Sequence, residues 1–286
     1  MITASFLLDL VDTTLLLAAI GSFALWFWLL GLRTEGVPLV KWGPTPLGPS
    51  TATMLTAVAA WLAILIAVPA LILAGSNRSP TDLSFAEQIA LSTATNAALL
   101  LALPAVLRAL DDRSISRPAD VVSPATRIAQ GLITCLIVAP VVYGLYGAAM
   151  LAWSPTKHPL EAMLRARPDA GVAALTFISS VLFAPAAEEW IFRRYLLAWL
   201  ARPHDPASPG ARHELSANIV TSTAFAAVHL AQWPTPVALF PLSMAIGWLY
   251  LRTGSLAAAI GLHAGFNAIG TLLLYHSILD GPLPIH

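Results

Sequence analysis

Pro185-Ala-Ala-Glu188-Glu189-Trp-Ile-Phe-Arg193-Arg194-Tyr-Leu-Leu-Ala-Trp-Leu200 places two adjacent carboxylates and two guanidinium groups at the end of a long apolar segment. Elsewhere charge is sparse. Only 10% of the 286 residues are charged and 57% are hydrophobic, with a mean hydropathy of +0.75. That composition lies outside the range of soluble globular domains and marks a multi-span membrane protein. Ionisable groups inside such spans are rare, turn toward the bundle interior or an aqueous cavity, and mark pathways or reaction sites. On a helix, Glu189 and Arg193 share a face, whereas Glu188 is rotated away by about 100°. One carboxylate can therefore be neutralised while its neighbour stays available.

Runs of about 20 apolar residues place spans near 13–32, 52–74, 86–107, 128–152, 170–187, 217–232, 236–251 and 256–275. The expected fold is an all-α polytopic membrane bundle of about eight transmembrane helices. The N-terminal stretch lacks the basic region of a signal peptide and is too long for one, so it reads as the first span; Trp26 and Trp28 fall where an interfacial aromatic belt belongs. Asn96 in the third span reads as an interhelical hydrogen-bonding group. Pro140 and three glycines in the fourth imply a kink and close packing. The segments 108–127 and 154–169 read as aqueous connections. Cys135 reads as a buried small hydrophobe, and the zero formal charge without a basic run excludes nucleic acid as a partner.

With eight spans and the N-terminus outside, eleven of the fifteen basic residues fall on the cytoplasmic side, against Arg78, Lys157, Arg165 and Arg167 on the other. By the positive-inside rule this is the expected orientation in the cell (plasma) membrane. It puts the Glu188 cluster toward the cytoplasmic end of the fifth span, with an amphipathic stretch running on through Leu200 along the membrane surface. The chain divides into residues 1–165, which carry no motif, and 166–280, where the intramembrane polar residues gather.

Three sets of residues stand out there. Glu188-Glu189-x-x-x-Arg193 comes first, then Phe225-x-x-x-His229, then His263-x-x-x-Asn267. Taken singly, each has a plain structural reading as an ion pair, a packed histidine or interhelical glue. Together they supply what hydrolysis of an amide bond needs. Glu188 is the expected base, since desolvation brings a carboxylate toward the working pH, and His229 orients the same water. His263 and Asn267 are the expected oxyanion donors, worth about 3–4 kcal/mol each in comparable sites. Arg193 holds Glu189. The same residues also admit a metal: Glu188, His229 and His263 form a plausible ligand set for a divalent ion such as zinc, with an open position for water. The residues alone do not separate the two routes. A His-Glu-x-x-His site is absent, because Ala217 stands where the second histidine of His213-Glu214 would fall.

At these residues the chain resembles the CAAX protease and bacteriocin-processing family of intramembrane endopeptidases, which includes type II CAAX prenyl endopeptidases and lysostaphin-resistance-like proteins. The family pattern, Glu-Glu-x-x-x-Arg, Phe-x-x-x-His and His-x-x-x-Asn or Asp on successive helices, is complete here over roughly residues 170–275. The resemblance implies a catalytic cavity among the C-terminal four helices and a catalytic Glu188, completed by His229, His263 and Asn267 and supported by Glu189, Arg193 and Phe225. It also implies cleavage of a membrane-associated peptide or protein substrate, prenylated or bacteriocin-like in some relatives. The family is commonly labelled metalloprotease, and a metal-free glutamate mechanism is also proposed for it. Arg194 departs from the glycine common after the motif arginine.

Two other classes compete. A non-enzymatic immunity or scaffolding protein would keep the fold and dispense with the site residues. A proton-coupled transporter would use buried Glu and His as relays, but the repeated half-segments that mark many transporters are missing.

Overall fold

The structure, a computed structural model, describes residues 4–31, 48–74, 78–110, 122–153, 170–202 and 211–279. Eight helical rods build it: α1 (Ala4–Gly31), α2 (Thr51–Leu73), α3 (Phe85–Ala109), α4 (Pro124–Ala152), α5 (Ala170–Leu200), α6 (Ala211–Ala227), α7 (Pro236–Thr253) and α8 (Leu256–Leu279). No strand occurs among the described residues. The all-α polytopic bundle expected from the sequence is the fold observed. Among the described residues, six helices are long and apolar enough to cross a membrane. The other two, α6 and α7, stand where the sixth and seventh spans were expected and have only 17 and 18 residues. The segments 32–47, 111–121 and 154–169, and the Trp28 side chain, lie outside the described residues.

Helix starts follow the local sequence. Ser50, Ser84 and Ser123 accept the first free backbone N–H groups of α2, α3 and α4, as N-cap hydroxyls do. Glu87 completes a capping box on α3 by accepting from the Ser84 N–H at 2.7 Å. Gly254, at φ 61°, closes α7 in the left-handed conformation that favours glycine. The turn into α8 follows at once.

The bundle is held by close crossings and by repairs to proline defects. At the crossing of α4 and α8, a Cβ on Gly131 would lie 2.3 Å from the Ala258 carbonyl oxygen, and one on Gly261 would lie 2.6 Å from that of Ile128. Only glycine permits this backbone approach. Gly144 and Gly147, grouped with Gly131 in the sequence reading, face open space; the tight contact is made by one glycine of the three. Pro140 cannot donate to the carbonyl of Leu136 four residues back. Ser22 of α1 donates to that carbonyl, and Trp26 Nε1 donates to the neighbouring Ile137 carbonyl at 3.0 Å. With Asp12 lying 2.7 Å from His276, these contacts clip α1 onto α4 and α8.

Two expectations change. The stretch after Glu188 does not run along a membrane surface: α5 continues as one rod of 31 residues, and Tyr195, Leu197 and Ala198 are fully buried. Its polar groups find partners inside the bundle. Tyr195 Oη, for example, donates to the Leu103 carbonyl at 2.6 Å. Arg127, assigned to a loop, sits in the first turn of α4, buried, with Nη1 donating to Gln130 Oε1 at 3.0 Å.

The glycine crossing yields a paired test. Gly131→Ala should destabilise the protein by about 1–3 kcal/mol, the cost of forcing a methyl group into packed backbone. Gly144→Ala should be neutral or stabilising by up to about 1 kcal/mol. Thermal unfolding of both variants in detergent measures the difference.

Candidate active site

α5 carries the acidic pair between two departures from α-helical winding. Ser179–Phe183 and Trp190–Leu197 are π-helical, and Ala184–Glu189 between them is α-helical. Such wide turns recur at functional sites because they re-aim side chains without breaking the rod. Pro185 explains part of the first. Lacking an N–H, it can donate to neither the Ser180 nor the Val181 carbonyl, while Ala184 N–H reaches back five residues to Ser179.

The two glutamates have separate environments. Glu189 is 0% exposed; its Oε2 lies 2.9 Å from Arg193 Nε and its Oε1 lies 2.8 Å from His263 Nδ1. Arg193, also 0% exposed, donates from Nη2 to Ser243 Oγ of α7 at 3.0 Å and lies over the Phe225 ring, 5.4 Å from its centroid. Glu188 is 30% exposed, and its Oε2 is 3.8 Å from His263 Nε2. It is the reachable carboxylate of the pair.

The carboxylate and carbonyl partners fix the tautomers. A carbonyl only accepts, so His229 Nδ1–H donates to the Phe225 carbonyl at 2.8 Å. A carboxylate paired with Arg193 likewise only accepts, so neutral His263 donates Nδ1–H to Glu189. In both rings the Nε2 lone pair is left over. His229 lies just past the end of α6, beyond Ala227, and its i,i+4 relation to Phe225 survives through that turn. Phe225 is the hub. Its ring meets Phe192 at 5.1 Å, His229 at 5.0 Å and His263 at 5.6 Å between centroids.

Asn267 stands apart from this cluster in its bonding. Its Nδ2 donates at 2.8 Å to the Ser180 carbonyl, one of the two carbonyls that Pro185 cannot serve. One N–H is thereby committed to docking α8 on α5, and one remains. The Ser180 and Thr271 hydroxyls, 3.2 Å apart, extend the same seam. Ser243 and Ser180 were missed by sequence reasoning. Ser243 carries no signal beyond being a polar residue in an apolar helix, whereas Pro185 advertised the unserved carbonyls.

These motif residues, from Glu188 to Asn267, fall inside one matched segment. Residues 170–269 match the family model of Type II CAAX prenyl endopeptidase Rce1-like proteins. The Rce1-like segment covers α5 through most of α8, and it agrees with the resemblance carried by the three motifs. No curated protein and no solved structure matches the chain.

Zinc fits the donor chemistry of Glu188, His229 and His263 but not their placement. Among the described residues, no three His, Cys, Asp or Glu side chains are gathered so as to hold a metal ion.

The buried pair predicts a non-additive stability pattern. Arg193→Met strands Glu189 and should cost about 3–5 kcal/mol, whereas Glu189→Gln with Arg193→Met should recover much of that loss. Unfolding of the two variants in detergent tests it.

Proposed function

We propose that the protein is an intramembrane endopeptidase that hydrolyses a peptide bond of a membrane-associated peptide or protein, with Glu188 as general base. The observation that carries this reading is the 3.8 Å separation of Glu188 Oε2 from His263 Nε2. Two acceptors at that distance have no hydrogen bond to share, and a water molecule donating one hydrogen to each satisfies both. Glu188 takes the proton as the water oxygen attacks the scissile carbonyl carbon. The carbon–nitrogen bond then breaks as Glu188 returns that proton to the leaving amine, giving a carboxylic acid and an amine, which exchange a proton on release to become carboxylate and ammonium.

This reading redistributes the roles expected from sequence. His263, pinned through Nδ1 by Glu189, is the group that holds the water, with the free N–H of Asn267 as the oxyanion donor. His229, whose Nδ1–H is committed to the Phe225 carbonyl, offers Nε2 to the same carboxylate. The Rce1-like match over residues 170–269 supports a CAAX-type protease, and a prenylated substrate is the finer reading. The basic-residue bias supports an N-terminus outside the cell membrane.

In liposomes carrying a membrane-anchored peptide, Glu188→Gln should lower kcat at least about 10³-fold and His263→Gln about 10²–10⁴-fold, the range for a positioned acid–base group. Both variants should remain folded. Cleavage should persist in a strong chelator. Full activity in Glu188→Gln would falsify the glutamate mechanism, and loss of cleavage to chelator with recovery on adding zinc would replace it with a metal-dependent one.

A further inference from the structure

The guanidinium of Arg193 has five N–H bonds and no acceptor, and it is 0% exposed. Nε faces Glu189, Nη2 donates to Ser243 Oγ at 3.0 Å, and Nη1 has no hydrogen-bond partner among the described residues. Outside α5, then, one polar group determines where this planar fork points. Ser243 is itself fully buried and lies on α7, a helix that carries none of the three motifs.

We infer that Ser243 is a positioning residue for the reaction proposed above, acting through Arg193 and Glu189 on His263. The inference rests on that reading of the site. A guanidinium held only at Nε can swing about that contact; a second contact on the far side of the fork sets its plane. The Nε contact is what compensates Glu189 Oε2, and a compensated Glu189 is what keeps the proton of His263 on Nδ1. If the fork swings, the buried Glu189 carboxylate loses its counter-ion and takes up a proton from water; the resulting carboxylic acid donates to Nδ1, and His263 then carries its own proton at Nε2. That form has no lone pair to offer the water shared with Glu188, so the chemical step slows while substrate binding is untouched. Ser243 thus reaches the reacting water through three side chains without touching it.

The test uses the full chain in lipid nanodiscs with ¹⁵N-labelled histidine, in four forms: unchanged, Ser243→Ala, Ser243→Thr and Ser243→Val. Threonine and valine are close in volume and differ by the hydroxyl, so their comparison isolates the hydrogen bond from packing. The ring ¹⁵N shifts of His263, assigned by their loss in His263→Gln, report the tautomer; kcat and KM are measured on a membrane-anchored peptide. Ser243→Val and Ser243→Ala should lower kcat about tenfold, on the scale of one hydrogen bond to a charged group, with KM within about twofold. His263 should pass from the Nδ1–H form to a mixture. Ser243→Thr should retain kcat and the Nδ1–H form. Equal kcat and identical His263 shifts in the Thr and Val variants overturn the inference. The two readings fail separately: absence of cleavage by the unchanged protein removes the proteolytic one, and an unmoved His263 ring in Ser243→Val removes the positioning one.

Discussion

A carboxylate and a guanidinium fully withdrawn from water in an apolar bundle form the constraint around which α5 to α8 are arranged. Desolvating two such ions costs several kcal/mol each, and their attraction repays this only when geometry is good and the remaining donors and acceptors are met. Glu189 and Arg193 draw for this on three helices: each other on α5, His263 on α8 and Ser243 on α7, with Arg193 Nη1 left without a hydrogen-bond partner among the described residues. Phe225 of α6 closes the apolar side over the guanidinium. The helices that bring the site residues together are therefore the ones the ion pair recruits, and site assembly and core assembly are one event.

The rest of the bundle follows a related rule, that a backbone carbonyl without its helical donor must find another where no water competes. Pro140 and Pro185 each remove a donor, and each loss becomes a docking point. Ser22 fastens α1 at the first, and Asn267 fastens α8 at the second. The seam between α5 and α8 then runs antiparallel through Glu189–His263, Ser180–Asn267, Ser180–Thr271 and Tyr275 with the Ala173 carbonyl. Along it the Glu189–His263 contact is followed by bonds that dock one helix on the other, and Asn267 belongs to that docking set.

Much of this was legible in the sequence, for physical reasons. Hydropathy marked the helices, since a membrane tolerates few alternatives. The i,i+4 spacing paired Glu189 with Arg193, because that geometry depends only on local winding. What escaped depended on departures from ideal winding or on contacts remote in sequence. The π-turns around Pro185 shift which carbonyl needs a donor, so the Ser180 partner of Asn267 was hidden. The span expected to stop at 187 continues because Tyr195 and Arg193 are satisfied by other helices, which no local pattern records. Arg127 looked like a loop charge for the same reason: its burial depends on Gln130 and on the packing of α4. Ser243 is one serine among many until the fold turns it toward Arg193.

Two adjacent glutamates would be redundant on an exposed helix. Here they are opposites. The turn of about 100° between neighbouring residues sends one side chain into the core and leaves the other 30% exposed, and the same Arg193 cannot satisfy both. Glu189 is compensated at both oxygens, so its charge is structural and holds His263 in one tautomer. Among the described residues Glu188 has no ion-pair partner closer than the 3.8 Å to His263 Nε2, and in the proposed mechanism that shortfall leaves it able to accept a proton. Moving Arg193 by one position would reverse the assignment, neutralising the exposed carboxylate and stranding the buried one. Under the proposed mechanism, the Glu-Glu-x-x-x-Arg spacing selects which of two identical groups reacts.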